Sequence, residues 1–257
     1  MQQASIAKGG CLKNDRNYAI VDKVGKPITG KTNAAIHLLR SKIDLASGII
    51  LLKHQDFANW EQFHIESERK NLEAYLSDFF KQEVSFIFNT TGRFLDEPDL
   101  SGVTLLSTSS LHVVTTWFPN IDLNSARQRF RANLEIETEE AFWEDRLFTH
   151  HNNAVAFSIG EVQLLGVSPC ARCVVPSRDA QSGESIVGFA KTFAIQRKTT
   201  LPNHSTLEEK GHTYCLSVNL FVQDSEVGKT LFVGDTLEIH GEVDARNIES
   251  WRRNNEG

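Results

Sequence analysis

The sequence has few cysteines and no long hydrophobic segment, and each of these absences excludes a class of protein. Four cysteines among 257 residues are too few for a disulfide-framed secreted protein, and residues 1–10 show no signal-peptide pattern, so we expect a cytoplasmic location. Because the four are spread from Cys11 to Cys215, they cannot supply the ligands of an iron–sulfur cluster. No apolar run approaches the ~20 residues that cross a bilayer, so no membrane span is expected.

Basic residues are not in excess either. The 27 Lys and Arg are outnumbered by 33 Asp and Glu, and the formal net charge of −6 argues against a nucleic-acid partner, which normally meets a basic surface. What the sequence does contain is 40% hydrophobic residues, with 16 Phe among them. This content predicts a buried core over most of the chain, and the length predicts one large domain or two small ones.

Hydrophobic periodicity predicts a mostly β protein with a few short helices. In the first part of the chain we expect strands at 17–24, 48–53 and 84–88, and helices at 32–43 and 66–81. The polar, turn-rich stretch 90–99 predicts a boundary between domains 1–95 and 96–257.

The second part begins with a cluster of hydroxyl residues at 107–110 that predicts a helix start, because Ser and Thr cap helices. Short alternating runs then predict strands at 132–137, 154–160, 161–168, 173–179, 216–223 and 235–243. Such a series is typical of an antiparallel sandwich or barrel.

Residues 25–32 match the phosphate-binding pattern G-x-x-x-x-G-K-[ST]. Two features weaken a P-loop interpretation: Asp22 and Lys23 interrupt the strand before it, and Pro27 lacks one of the amides that such a loop uses. A β-hairpin turn explains the glycines equally well. A nucleotide hydrolase is therefore a minor alternative, and it predicts Mg-ATP binding that depends on Lys31.

Cys170 and Cys173 form a C-x-x-C motif whose spacing alone admits several roles. Four interpretations fit this spacing: a zinc site, a redox dithiol, a thiolate bound to a soft transition metal, or two small buried side chains. A zinc site needs further ligands, and the candidates are His204, His212 and Cys215. Arg172, between the two cysteines, would favour a thiolate or hold an oxyanion.

Arg131 and Asn133 lie two residues apart, so on a strand their side chains would share a face and bind one anionic ligand together. The alternative is that the arginines at 127–131 pair with the acidic residues at 135–140. The residues alone leave both interpretations open.

Six short motifs stand in a fixed order in the second half of the chain. They are R-F-R-A-N-L at 129–134, A-F-W-E-D at 141–145, I-G-E-V at 159–162, P-C-A-R-C-V-V-P at 169–176, D-A-Q-S-G-E at 179–184 and V-G-D at 233–235. This series resembles the MOSC domain, the C-terminal domain of molybdenum cofactor sulfurases. Residues 11–31 are similar to the β-barrel domain that precedes MOSC in the amidoxime-reducing proteins and their bacterial relatives, in which 25–31 is a hairpin.

The resemblance implies a β-barrel MOSC domain, an N-terminal α+β barrel-like domain, and a molybdopterin-type molybdenum cofactor in the cleft between them. Cys173 would be the metal ligand and the catalytic residue. The implied cofactor-binding residues are Arg16, Ser101, Arg131, Asn133, Ala171, Arg172 and Asn219. Pyridoxal phosphate binding is implied only at the level of the family as a whole.

The sequence departs from the family pattern at a few positions. The usual opening strand, Y-P-[IV]-K-S, whose Lys and Ser contact the cofactor, is not found before Asp15. Ala132 replaces a Pro, Ser182 replaces a Thr, and Asn17 and Tyr18 stand where a bulky aromatic pairing is usual.

As a function, the resemblance implies an oxidoreductase that reduces small N-hydroxylated or N-oxygenated substrates. Since the cysteines cannot form an iron–sulfur cluster, electrons would come from a separate donor protein, of the ferredoxin type or the cytochrome b5 type with its reductase. The alternative is a cofactor carrier or a sulfur-transfer module that uses a Cys173 persulfide.

Overall fold

The computed structural model describes residues 2–89, 94, 100–149, 153–201 and 213–245, and these contain thirteen strands and four α-helices. The strands are β1 (Gln3–Ser5), β2 (Tyr18–Asp22), β3 (Leu39–Asp44), β4 (Ile49–His54), β5 (Glu61–His64), β6 (Val84–Phe88), β7 (Val103–Ser107), β8 (Leu134–Ile136), β9 (Asn153–Ile159), β10 (Val162–Ala171), β11 (Cys215–Phe221), β12 (Thr230–Phe232) and β13 (Leu237–Asp244). The helices are α1 (Arg69–Phe80), α2 (Thr108–Trp117), α3 (Leu123–Phe130) and α4 (Phe189–Thr199). Within this part of the chain, no helix has the length and apolar character to cross a membrane.

The chain forms two compact units, and both combine segments that are distant in the sequence. The larger unit consists of Met1–Asp15, Leu95–Arg172 and Gly188–Gly257, and the smaller unit of Arg16–Phe94 and Cys173–Val187. The sequence-based domains 1–95 and 96–257 stay a prediction.

A six-stranded sheet in the order β13-β9-β10-β11-β7-β8 forms the centre of the larger unit. Neighbouring strands are antiparallel, except that β7 and β8 are parallel. Leu105, Phe157, Val162 and Leu220 are fully buried in its core. The mostly β class is confirmed, but the expected barrel is not found in the described strands, because β13 and the short β8 remain the edges of an open sheet.

The helices of the larger unit meet in an aromatic cluster. The Ser107 hydroxyl accepts the backbone N–H of Ser110 at 3.2 Å, which caps α2 as the sequence predicts. Phe118, just after α2, stacks on Phe189 of α4 with ring centroids 4.3 Å apart. Burial of these rings anchors α4, a helix that the sequence patterns do not predict.

In the smaller unit, β3, β4 and β5 form an antiparallel sheet, and β2 pairs with β6. Helix α1 confirms the prediction for 66–81. Its buried face consists of Leu72, Leu76 and Phe80, which belong to the same cluster as Ile50 and Leu52 of β4. The spacing of four residues places these side chains on one face of the helix.

Two sequence-based predictions of secondary structure are wrong. The expected helix at 32–43 is only a 3-10 helix, Ala34–Leu38, because the residues from Leu39 onward pair with β4. The expected strand at 173–179 is a 3-10 turn, Val175–Ser177, since Pro176 has no N–H for a strand ladder. Most of the stretch 90–99 lies outside the described residues.

Candidate functional site

The segment 25–32 is a turn and a loop rather than a P-loop. The strand before it, β2, is antiparallel to its partner β6, and Asp22 Oδ1 accepts the backbone N–H groups of Val24 and Lys26 at 3.0 and 2.9 Å. Gly25 has a φ of 81°, a conformation that glycine adopts without steric cost. A five-residue 3-10 helix follows instead of an α-helix whose N-terminus would hold phosphate. The hairpin interpretation is confirmed, and the P-loop on which the nucleotide-hydrolase alternative depends is not formed.

A row of hydrogen-bonded polar side chains crosses the large sheet. Asn219 of β11 lies between Ser168 of β10 and Thr104 of β7 in register, and its Nδ2 donates to Ser168 Oγ at 3.2 Å. Asn133 Oδ1 accepts from the N–H and the Oγ1 of Thr104 at 3.1 and 3.3 Å. Asn133 Nδ2 donates to Asp15 Oδ2 at 3.3 Å. We call these five residues the polar row; because register partners share a face, it brings the predicted residues Asn133 and Asn219 to one side of the sheet.

Arg172 is held in place by several groups of the larger unit. Its Nη1 donates to Cys170 Sγ at 3.1 Å and to Ser217 Oγ at 3.3 Å, and its Nη2 donates to the carbonyl oxygen of Phe130. The guanidinium also lies over the Phe130 ring, 5.5 Å from the centroid. A planar cation fixed in this way is suited to binding an anion in one orientation.

The backbone beside Arg172 is irregular. The pairing of β10 with β11 shifts register between Pro169 and Ala171, and the buried Ser217 opposite has a φ of 73°. A residue other than glycine in this region costs roughly 1–3 kcal/mol. Bulges and strained residues of this kind are common next to functional sites, where they redirect side chains. Ala171 itself is exposed at the end of β10.

The four cysteines form no disulfide and lie in different environments. Cys11 and Cys215 are buried, and burial raises the pKa of Cys215 to about 11. Cys170 and Cys173 are half-buried. Cys173 Sγ accepts the backbone N–H of Val175 at 3.5 Å. Cys215 is therefore poorly suited to metal binding, which needs the thiolate.

No group of three or more His, Cys, Asp or Glu side chains is placed to hold a metal ion in the described part of the chain. A protein-only zinc site is thus absent from that part; two of the candidate zinc ligands, His204 and His212, lie outside it. A metal bound through Cys173 would need most of its other ligands from a cofactor.

The remaining predicted residues lie in several places. Arg16 is half-buried, with a φ of 53°, in the smaller unit. Arg131 ends α3 with a φ of 52°, so the expected shared strand face with Asn133 is wrong. Ser101 is 1% exposed, and its hydroxyl accepts the backbone N–H of Val222 at 2.8 Å. The roles of these residues toward a cofactor stay predictions.

Within the arginines at 127–131, Arg127 pairs with the acidic stretch 135–140, as one alternative predicts. Arg127 Nη2 lies 2.7 Å from Glu135 Oε1, and Arg146 forms an ion pair with Glu140. The side chain of Arg131 is exposed. Of the predicted arginines near Asn133, Arg131 is therefore the one placed to meet a ligand from solvent.

Sequence reasoning missed a buried carboxyl group. Glu144 is 1% exposed, and its Oε2 accepts the hydroxyls of Ser107 and Ser110 at 2.7 and 2.8 Å. Burial raises the pKa of Glu144. The next residue, Asp145, forms an ion pair with the buried Arg197. The signal for this network is the Glu-Asp pair that follows two aromatic residues at 142–143, together with the hydroxyl cluster at 107–110.

The available donors and acceptors fit a pterin-type cofactor in kind. Cys173 offers one soft metal ligand, the polar row offers amide groups of the type that pair with a heterocycle, and Arg172 offers a fixed fork for phosphate. The polar row and Arg172 belong to the larger unit, and Cys173 and Arg16 to the smaller unit.

Comparison with known proteins gives two findings. The MOSC domain family matches residues 98–238, a range that contains most of the polar row, Arg172 and Cys173. Molybdenum cofactor sulfurase 2 of Culex quinquefasciatus is 25% identical to this chain over 231 residues. That alignment covers 73% of this chain and 29% of the relative, so the chain spans less than a third of the relative's length.

Proposed function

Because the chain belongs to the MOSC domain family, with a function related to the molybdenum cofactor, we propose that it binds a molybdopterin-type cofactor and acts as an oxidoreductase. Its substrates are small N-hydroxylated or N-oxygenated compounds. Electrons come from a separate donor protein of the ferredoxin or cytochrome b5 type.

The polar row and the fixed guanidinium of Arg172 carry this proposal. Together they provide oriented amides and a cation on one compact unit, within hydrogen-bond networks that hold their geometry before any ligand arrives. Groups that are already oriented bind a ligand with less loss of entropy than flexible ones. A pterin with a phosphate-bearing side chain needs this combination of amides and cation.

Each residue then has a distinct part in binding. The Cys173 thiolate ligates the metal, and the N–H of Val175, at 3.5 Å, stabilises the negative charge on the sulfur. Arg16, Arg131 and Arg172 neutralise phosphate charge. Ser101, Ala171 and Asn219 line the cofactor.

A bound molybdenum cofactor would supply the two-electron redox chemistry that the reduction needs. The overall reaction consumes one N-hydroxylated compound, two electrons and two protons, breaks the N–O bond, and releases the reduced amine or imine with one water molecule. The protein orients the reactants and tunes the electrostatic environment.

Metal analysis tests the binding step. The full chain is purified from molybdate-supplemented cells and assayed for molybdenum and pterin, beside Cys173→Ser and the matched control Cys170→Ser. We expect wild type and Cys170→Ser to retain molybdenum, and Cys173→Ser to lose at least about tenfold, the effect of roughly 1.4 kcal/mol. A wild-type protein that takes up no molybdenum contradicts the proposal.

Activity is measured next, on the loaded protein, with benzamidoxime as substrate and a reduced dye as artificial electron donor. Product formation that is lost in Cys173→Ser supports the oxidoreductase. A protein that holds molybdenum yet reduces no N-oxygenated compound contradicts that part of the proposal and leaves cofactor binding in place.

A second candidate is sulfur transfer, because the relative from Culex quinquefasciatus is named as a molybdenum cofactor sulfurase. In this case Cys173 carries a persulfide. Incubation with a persulfide donor, followed by peptide mass analysis, would show one added sulfur atom on Cys173 and none on Cys173→Ser. Unmodified Cys173 under these conditions argues against the sulfur-transfer role.

A further inference from the structure

The polar row determines which way the side-chain amide of Asn133 faces. The backbone N–H of Thr104 can only donate, so the Asn133 atom 3.1 Å from it must be the oxygen. The Thr104 hydroxyl donates to the same oxygen at 3.3 Å. On the other side, the Asp15 carboxylate can only accept, and it lies 3.3 Å from Asn133 Nδ2. Both neighbours therefore select one orientation of the amide.

This orientation leaves Asn133 with a donor to offer and no free acceptor. Its oxygen already accepts two hydrogen bonds, and one of its two N–H groups is bound to Asp15. In the described residues, nothing accepts from the second N–H. Asn219 differs, because its partner is the Ser168 hydroxyl, which can donate or accept and so does not select an orientation.

The backbone on both sides of Asp15 has an unusual conformation that fixes the position of Asp15. Asn14 and Arg16, on either side, have φ values of 67° and 53°, and the N–H of Asp15 donates to the carbonyl of Leu12 at 3.1 Å. Non-glycine residues with positive φ are costly, and two of them flanking one residue persist only where the surrounding structure determines them. This local strain marks Asp15 as a residue whose position matters.

We propose that Asp15 and Thr104 are positioning residues that make Asn133 a hydrogen-bond donor toward the ligand. The site then selects a heterocycle that presents an acceptor, a carbonyl oxygen or an unprotonated ring nitrogen, to Asn133. This inference rests on the proposed cofactor binding, but the orientation of the amide is a property of the protein alone and can be measured without cofactor.

The orientation is tested by NMR on the full-length, 15N-labelled protein without cofactor. The side-chain NH2 signals of Asn133 are assigned by their loss in Asn133→Ser. We expect Asp15→Ala to move the signal of the carboxylate-bound proton to the position typical of solvent-exposed amides. The matched control is Ser168→Ala, at the other end of the polar row, which should move the Asn219 signals and leave those of Asn133 in place.

Unchanged Asn133 signals in Asp15→Ala overturn the proposal, provided that the backbone spectrum shows a folded chain. If Asp15→Ala does not fold, Asp15→Asn serves as the second variant. It keeps the shape and one acceptor oxygen but removes the charge, so the bound proton should move in the same direction by a smaller amount. No movement in a folded Asp15→Asn then overturns the proposal.

The role toward the ligand is tested by the pterin content of protein purified from molybdate-supplemented cells. Asp15→Ala and Thr104→Val should each lower pterin per chain by about tenfold, the effect of one lost hydrogen bond. Asn133→Asp, which presents an acceptor, should lower it further. The matched control is Thr116→Val on the exposed side of α2, where the Thr116 hydroxyl donates to the Val113 carbonyl at 2.7 Å; its pterin content should stay within about twofold of wild type.

Wild-type pterin content in Asp15→Ala and Thr104→Val overturns the positioning role, even where the NMR signals move. A wild-type protein without pterin is a different failure: it contradicts the cofactor-binding proposal and the role of Asn133 toward a cofactor. The NMR experiment still decides separately whether Asp15 orients the amide.

Discussion

The burial of Glu144 makes the stability of the fold depend on pH. Its carboxyl group is buried beside Ser107 and Ser110, and its Oε1 has no hydrogen-bond partner in the described structure. Burial raises the pKa of Glu144 above the ordinary value of 4.5, because ionisation inside the protein is costly. In the unfolded chain the group ionises freely once the pH exceeds that ordinary value.

We therefore expect the contribution of Glu144 to the free energy of unfolding to fall as the pH rises. The folded state binds the Glu144 proton more tightly than the unfolded state, so the contribution is full below the ordinary pKa of 4.5 and is lost as the pH rises through the higher pKa of the folded protein. Each tenfold difference in proton affinity between the two states is worth about 1.4 kcal/mol.

Glu144→Gln removes this ionisation, and urea unfolding at about pH 4, 6 and 8 measures the effect. The amide itself adds a constant cost or gain that cancels between pH values. The stability of Glu144→Gln relative to wild type should therefore increase from low to high pH. Two parallel curves would show that Glu144 does not titrate in this range.

Residues of the site differ in how far the sequence predicts them. Motif order points to Asn133 and Arg172, because these positions match a family pattern, and the resemblance adds Asn219 as a further cofactor-lining position. It does not reveal the partners that orient them. Thr104 lies on another strand, and Asp15 is far away in the chain from Asn133. Hydrogen bonds between distant segments depend on strand register, which a single sequence does not state.

Among the elements, β10 has the tightest constraint. Gly166 lies where the strand crosses the 3-10 helix Trp143–Leu147, and a Cβ atom there would lie 1.7 Å from the carbonyl oxygen of Leu147. That oxygen is backbone and cannot rotate away. The close approach explains why a glycine stands between Leu165 and Val167 in this strand.

Gly166→Ala should lower the free energy of unfolding by about 3 kcal/mol or more, because the helix and the strand must separate. The matched control is Gly25→Ala in the β2 hairpin. A Cβ atom added there would meet no other part of the protein within 4 Å, and only the φ of 81° is unfavourable. Its cost should be about 1 kcal/mol. Urea unfolding of both variants measures the difference, and equal costs would contradict the close contact.

Strands are predicted better than helices in this chain, and the reason lies in length. The runs 154–160 and 161–168 are rich in apolar residues over most of a strand, so β9 and β10 are found from pattern alone. Helix α3 has eight residues, and so few turns do not show a helical period. Three of its residues, Ala126, Arg129 and Phe130, are buried. Tertiary packing, rather than periodicity, stabilises such a helix.

At the scale of the whole molecule, the N-terminal segment belongs to the larger unit. Residues of β1 pair with β12 in antiparallel register, and Ile6 exchanges backbone hydrogen bonds of 2.9 Å with Gly228 and Lys229. Ile6 and Leu12 are buried in the same core as the large sheet. The range 98–238 that matches the family therefore lacks part of that core, which sequence similarity alone does not indicate.

This arrangement predicts that the fragment 96–257, produced alone, is much less stable than the full chain. Each buried Ile or Leu contributes roughly 1.5–3 kcal/mol, and small domains have only about 5–15 kcal/mol in total. Loss of Ile6, Leu12 and the β1 pairing should move the urea midpoint of the fragment strongly downward or abolish a cooperative transition.

The matched control is the same fragment with a peptide of residues 1–15 added in excess. The peptide should restore a transition that depends on its concentration, since a segment that binds only the folded state stabilises it. A fragment that unfolds cooperatively at the midpoint of the full chain, with no response to the peptide, would show that β1 contributes little to the larger unit and that the division at 95 and 96 separates independent domains.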